Sequence, residues 1–153
     1  MTTTTTLNVS AKSSDWRAAR LSNFSADSFT LDGDTFASAE GFIQGIMWPE
    51  GDSNRVAAFA STGGKAKRFG ATAERKYVWY RGETIPFGSL AQHALIERAI
   101  RAKFTQNHTA MEALVATKGL TLIHDLGKPE SPNTSLPAAV LCDILTRIRE
   151  EQP

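Results

Sequence analysis

Three charged residues and one aromatic run stand where chemistry could use them. Glu40 opens the run SAEGFIQ, in which Ala39, Phe42, Ile43 and Ile46 share one helical face. A carboxylate at the margin of such a face loses water, which raises its pKa toward that of a useful general base. The same position also suits a first-turn glutamate held by the helix dipole. Gln44 lies four residues on, along the same edge. Lys103 projects from the middle of the apolar arc of a second helical run, residues 88–106. An unpaired ammonium there is costly, so it either snorkels past the helix end or serves a site. Asp125 follows a short strand pattern at the head of a loop holding Pro129 and Pro132. That is a common place for a functional group, and equally for a turn-forming aspartate. Trp79, with Tyr77, Tyr80, Arg75, Lys76 and Arg81, interleaves aromatic rings with cations. Such a run can stack a base and hold phosphates, or simply pack at a sheet edge.

These residues need elements to position them. Asp32-Gly33-Asp34 predicts a hairpin, because Asp-Gly accepts the positive φ of tight turns. Thr35 or Ser38 can cap a helix reaching about Trp48, and Asp52 or Ser53 another over residues 54–61. Gly63-Gly64 breaks that helix, and a short basic helix, KAKRF, stops at Gly70. A strand is expected at Tyr77–Tyr80, with an irregular segment through Pro86. Ser89 caps the central helix. Thr109 and Glu112 match a reciprocal capping box, and Gly119 ends the helix it opens. Residues 120–123 suit a strand, and Pro137 opens a final amphipathic helix. The expectation is one α+β domain, predominantly helical with a few short strands. Residues 1–15, polar and of low complexity, are expected to fray as a flexible tail before a catalytic domain over 16–153.

Composition narrows the classes. The 153 residues suffice for a core without disulfides or metal, and 41% apolar with 22% charged content is ordinary for a globular protein. A net charge of +1 confines any nucleic-acid surface to a local patch, for which residues 65–68 and 75–81 are candidates. The single cysteine, Cys142, suits a reducing cytosol and reads as a small core residue. No run is long enough for a membrane span, so a cytoplasmic location is expected. Zinc spacings, a Walker loop, a dinucleotide glycine fingerprint and a nucleophile elbow are all missing from the sequence.

LSNF at 21–24, SAEGFIQ at 38–44, AKRFG at 66–70 and AIRAKFTQN at 99–107 together resemble the NADAR family, of which YbiA-type proteins are members. The resemblance runs from Leu21 to the C-terminal helix. It implies an α+β fold and hydrolysis of N-glycosidic bonds, with no metal and no cofactor. YbiA-like members cleave ribosylamino intermediates of riboflavin synthesis. Others, associated with DarT-type toxins, remove ADP-ribose from guanine in DNA as antitoxins. Gly41 stands where YbiA-like proteins usually carry histidine, and HDLGKPESPNTSLP has no Trp-Gly-Asp-Gly run. Those departures favour the guanine reading. A non-catalytic module binding ADP-ribose or a related nucleotide is a further alternative.

The resemblance puts Glu40, Trp79, Lys103 and Asp125 at positions expected to line the site. Asn23, Phe24 and Gln44 are expected beside them, with Arg68 and Gly70 in the basic motif. Glu40 would position or deprotonate water, Asp125 would stabilise the sugar cation, and Trp79 would stack on a base. Lys103 would bind an oxygen as a cation or attack C1 as a free amine. The expected partners are ADP-ribosylated DNA or another ADP-ribose-containing nucleotide, and an ADP-ribosyltransferase toxin system.

Overall fold

The computed structural model describes residues 5–153. The chain runs through β1 (Thr6–Asn8), α1 (Trp16–Leu21), the hairpin of β2 (Phe29–Leu31) and β3 (Asp34–Phe36), and α2 (Ala39–Gly45). It continues with α3 (Ser53–Phe59), α4 (Gly63–Gly70), β4 (Tyr77–Tyr80), β5 (Glu83–Pro86) and α5 (Leu90–Gln106). α6 (His108–Val115), β6 (Thr121–Ile123) and α7 (Ala138–Glu150) complete it. The fold is α+β and predominantly helical, and its strands pair only two by two. No helix among the described residues is long and apolar enough to cross a membrane.

The central helix α5 begins where the Ser89 hydroxyl accepts the Gln92 N–H. It packs Leu95, Ile96, Ala99, Ile100 and Phe104 into the core and touches α2, α6, α7 and β2. Every residue of α2 is buried, which its glycines permit. A Cβ on Gly41 would stand 2.4 Å from the Ala58 carbonyl, and one on Gly45 would stand 2.3 Å from the Phe59 ring. Two glycines one turn apart therefore let α3 lie directly on α2. That close approach leaves no room for a side chain at Gly41. Cys142 is buried on α7, and desolvation pushes its thiol up to about 11, as suits a core residue.

Asp32 and Gly33 turn the first hairpin with φ of 52° and 87°, both left-handed, as a two-residue turn of this kind requires. The segment after Tyr80, expected to be irregular, is a second hairpin. Arg81 and Gly82 turn it with φ of 46° and 81°, and β5 pairs antiparallel with β4. An arginine in the first left-handed position hides this turn, since Asn, Asp and Gly dominate there. Asp32 takes hydrogen bonds from the Tyr80 hydroxyl and from Arg98 of α5, which joins both hairpins to the central helix.

Two other expectations are corrected. The described part of the tail, residues 5–15, is built into the fold: β1 pairs in parallel with β6, and Leu7 and Val9 are buried. Among the described strands, β1 is the one that pairs with β6. Residues 1–4 lie outside the described residues. The capping box at Thr109 also does not form. Asn107 takes the N-cap position two residues earlier, so α6 starts at His108, which pairs instead with Glu112 at 2.7 Å.

Candidate active site

A cleft of about 610 Å³ opens among five segments: the chain after β1, the turn after α1, α2, α4, and the loop from β6 to α7. Glu40 and Gln44 reach it from α2. Glu40 is only 8% exposed, and its carboxylate accepts the Gln44 side-chain N–H at 2.8 Å. Its backbone N–H donates to the Asn23 carbonyl at 3.0 Å, which ties the Asn23–Phe24 wall to the first turn of α2. Burial raises the Glu40 pKa above the usual carboxylate range. The Gln44 hydrogen bond and the charges of Lys67 and His124 oppose that rise. A carboxyl so placed is a stronger base than an exposed one and can exchange protons with a water in the cleft.

Gln44 is itself held from behind. An ionised carboxylate only accepts, so the amide must turn its NH₂ toward Glu40. The amide oxygen then faces Gly70 without a hydrogen-bond partner. A Cβ on Gly70 would lie 1.8 Å from that oxygen. Gly70 thus clears the space that lets Gln44 orient Glu40, and it does not line the cleft.

The rim is cationic. Lys12, Lys67 and Lys128 come to it from three separate segments. Among the described residues none of them forms an ion pair. Asp125 and His124 lie on the same wall, just past β6. Asn8 fixes Asp125 through a reciprocal pair of 2.8 Å hydrogen bonds to its backbone. One Asp125 carboxylate oxygen accepts the Gly127 N–H, so this residue both shapes its turn and lines the cleft. The arrangement offers a desolvated carboxyl on α2, cations around the mouth, and an imidazole on the wall.

A model of the family described as Bacteriophage protein GP30.3 matches residues 15–150. The chain belongs to that family. A phage T4 relative, described as an uncharacterized 17.1 kDa protein in the Gp30-rIII intergenic region, is 30% identical over 142 residues. That match covers 88% of this chain and 91% of the T4 protein. Among solved structures, the E. coli protein YbiA superposes with a TM-score of 0.68 at 19% identity. The superposition covers 99% of this chain and 86% of YbiA, so the fold is YbiA-like, as the motif resemblance implied.

On this GP30.3-family fold, five of the expected site residues converge: Asn23, Phe24, Glu40, Gln44 and Asp125. Lys103, Arg68, Gly70 and Trp79 do not line the cleft. Lys103 is fully buried, and its amine donates to the carbonyls of Arg20 at 3.0 Å and Ser22 at 2.9 Å. It neither snorkels nor meets the cleft; it sits one hydrogen bond beneath the wall residue Ser22. Desolvation lowers its pKa from 10.5 to about 7. A neutral amine has two N–H groups, which these two carbonyls satisfy.

Trp79 lies at the other end of α2 from Glu40, where its N–H donates to the Ile46 carbonyl at 2.8 Å. Its own carbonyl takes a bond from Arg55, and its ring leans on Tyr77. The aromatic-cationic run is also partly engaged. Arg75 donates to the carbonyls of Gly70 and Ala73, and Arg81 to that of Asp32. In the basic motif, Lys67 reaches the cleft and Arg68 does not. The helical repeat carried that signal: Lys67 lies three residues before Gly70, hence on the α4 face turned to Gln44. His124, Lys12 and Lys128 were missed because two lie in irregular segments and the wall containing Lys12 depends on an unforeseen strand.

Proposed function

We propose that this chain is an N-glycosidase that hydrolyses the bond between ADP-ribose and guanine bases in DNA. The observation that carries the reading is Glu40, a desolvated and oriented carboxyl opening into a cleft rimmed by unpaired lysines. Breaking a ribose C1–N bond builds positive charge on the sugar and negative charge on the leaving nitrogen. The ionised Glu40 faces the developing sugar cation and takes a proton from the attacking water as that water bonds to C1, becoming neutral. Asp125 adds a second carboxylate from the segment after β6. Lys12, Lys67 and Lys128 are opposite in charge to a diphosphate and can donate hydrogen bonds to its oxygens. Lys103 acts as a positioning residue, holding the Arg20 and Ser22 carbonyls and through them the Asn23–Phe24 wall.

The Gly41 contact with α3 supports a subgroup distinct from YbiA-like enzymes. DNA approaches over α4, where Lys65 and Arg68 are exposed beside Lys67. An ADP-ribosyltransferase that modifies guanine, as in a toxin system, must supply this substrate.

The test is a side-by-side incubation with ADP-ribosyl-guanine DNA and with ribosylamino-pyrimidine phosphates, followed by product analysis. Released ADP-ribose with no cleavage of the pyrimidine intermediates is the expected result. The reverse preference moves the chain to the riboflavin-type reaction. Saturable binding without product from either reduces it to a nucleotide-binding module.

A further inference from the structure

We propose that His124 delivers the proton to the departing base nitrogen, working with Glu40 across the cleft. This rests on the N-glycosidase reading and adds the half-reaction that Glu40 cannot perform while it is accepting a proton from water.

The imidazole is half-buried on the cleft wall, one residue past β6, and its Nδ1 lies 2.7 Å from the Val9 carbonyl oxygen. A carbonyl can only accept, so Nδ1 carries a hydrogen in both the neutral and the charged ring. The carbonyl is itself fixed, because the Val9 N–H donates to Ile123 at 2.8 Å. Proton exchange is thereby confined to Nε2, which has no hydrogen-bond partner among the described residues. Glu40 and His124 both line the one cleft, so the two groups face one reaction space. Asp125 and Gly127 form a turn immediately afterwards, and the half-buried ring lines the cleft. Val9 directly follows β1, so the pairing of β1 with β6 brings in the acceptor that sets the tautomer.

The step balances. Water oxygen bonds to ribose C1 and gives its proton to Glu40. The C1–N bond breaks and its electron pair stays on the base. The imidazolium passes its Nε2 proton to that nitrogen and becomes neutral, with Nδ1 still bonded to Val9. Solvent returns a proton to His124 and takes one from Glu40.

The test compares the full-length wild type with His124→Asn, whose amide can keep the bond to Val9, and with His124→Gln. Each acts on ADP-ribosyl-guanine DNA and on an ADP-ribosyl nitrophenolate, whose leaving group departs without a proton. Both variants should lose about 100-fold or more in kcat on the guanine substrate and less than about threefold on the nitrophenolate. Equal losses on the two substrates would make His124 merely structural and overturn the proposal, as would unchanged guanine turnover. If the wild type releases no ADP-ribose from DNA, the N-glycosidase reading itself falls. That result is separate from the variant comparison.

Discussion

Glu40 and Lys103 are both titratable groups buried on helices, and burial moves both toward neutrality. They differ in what lies on their far side. Glu40 keeps one hydrogen bond from Gln44 and otherwise opens to a cleft. Lys103 is closed in, and the peptide carbonyls of Arg20 and Ser22 satisfy its amine. A perturbed pKa therefore marks a site only where the group also faces free space. Beneath the wall, the same physics makes a structural clamp.

The largest effect expected from this contrast belongs to Glu40. Glu40→Gln should lower kcat by about 1,000-fold while leaving the fold intact, since an uncharged amide removes a desolvated carboxylate. Stability against pH sharpens the comparison. A raised carboxyl binds its proton more tightly when folded, so its contribution falls as pH rises above the ordinary 4.5. Lys103 runs the other way. Its unfolded form holds a proton up to 10.5 and its folded form only to about 7. Wild type should thus gain stability relative to Lys103→Met across that window, by about 5 kcal/mol at most. Urea melts at several pH values read both slopes, and a flat difference for Lys103 would show that its amine stays charged.

Next in size is Gly70→Ala. Its Cβ collides with the Gln44 oxygen, so Glu40 loses its orienting partner and kcat should fall about 100-fold. Unchanged turnover in a folded Gly70→Ala protein would remove Gln44 from the mechanism. Borohydride added during turnover should trap no Lys103 adduct, because the amine is occupied below the wall. An adduct found by peptide mass would mean that the Ser22 turn opens and that the clamp is also a nucleophile. The smallest effect falls on Trp79→Ala, expected to change kcat by less than about threefold, because the ring stands away from the cleft. A loss as large as that at Gly70 would place the hairpin in the substrate path.

What could be read from sequence follows the range of the forces involved. The Asp32-Gly33 turn, the Ser38 and Ser89 caps and the apolar face of α7 are local, and they were legible. Glu40 and Gln44 were legible as a pair because helical spacing alone brings them together. The second hairpin was hidden by Arg81 in a left-handed position. β1 was hidden by its threonine-rich surroundings, since only the distant partner β6 gives Leu7 and Val9 something to pack on. Lys103 was rightly singled out as anomalous, but periodicity cannot tell a lysine facing a cavity from one facing two carbonyls. Nor can composition assign Arg75 to the carbonyls of Gly70 and Ala73 rather than to a phosphate.

One comparison of wild type with Glu40→Gln on ADP-ribosyl-guanine DNA tests the central claim most directly. Binding is followed by calorimetry and ADP-ribose release by product analysis. The expected result is that both proteins bind and only the wild type releases ADP-ribose. Release by Glu40→Gln at the wild-type rate would contradict the assignment of the cleft carboxyl as the group that activates water.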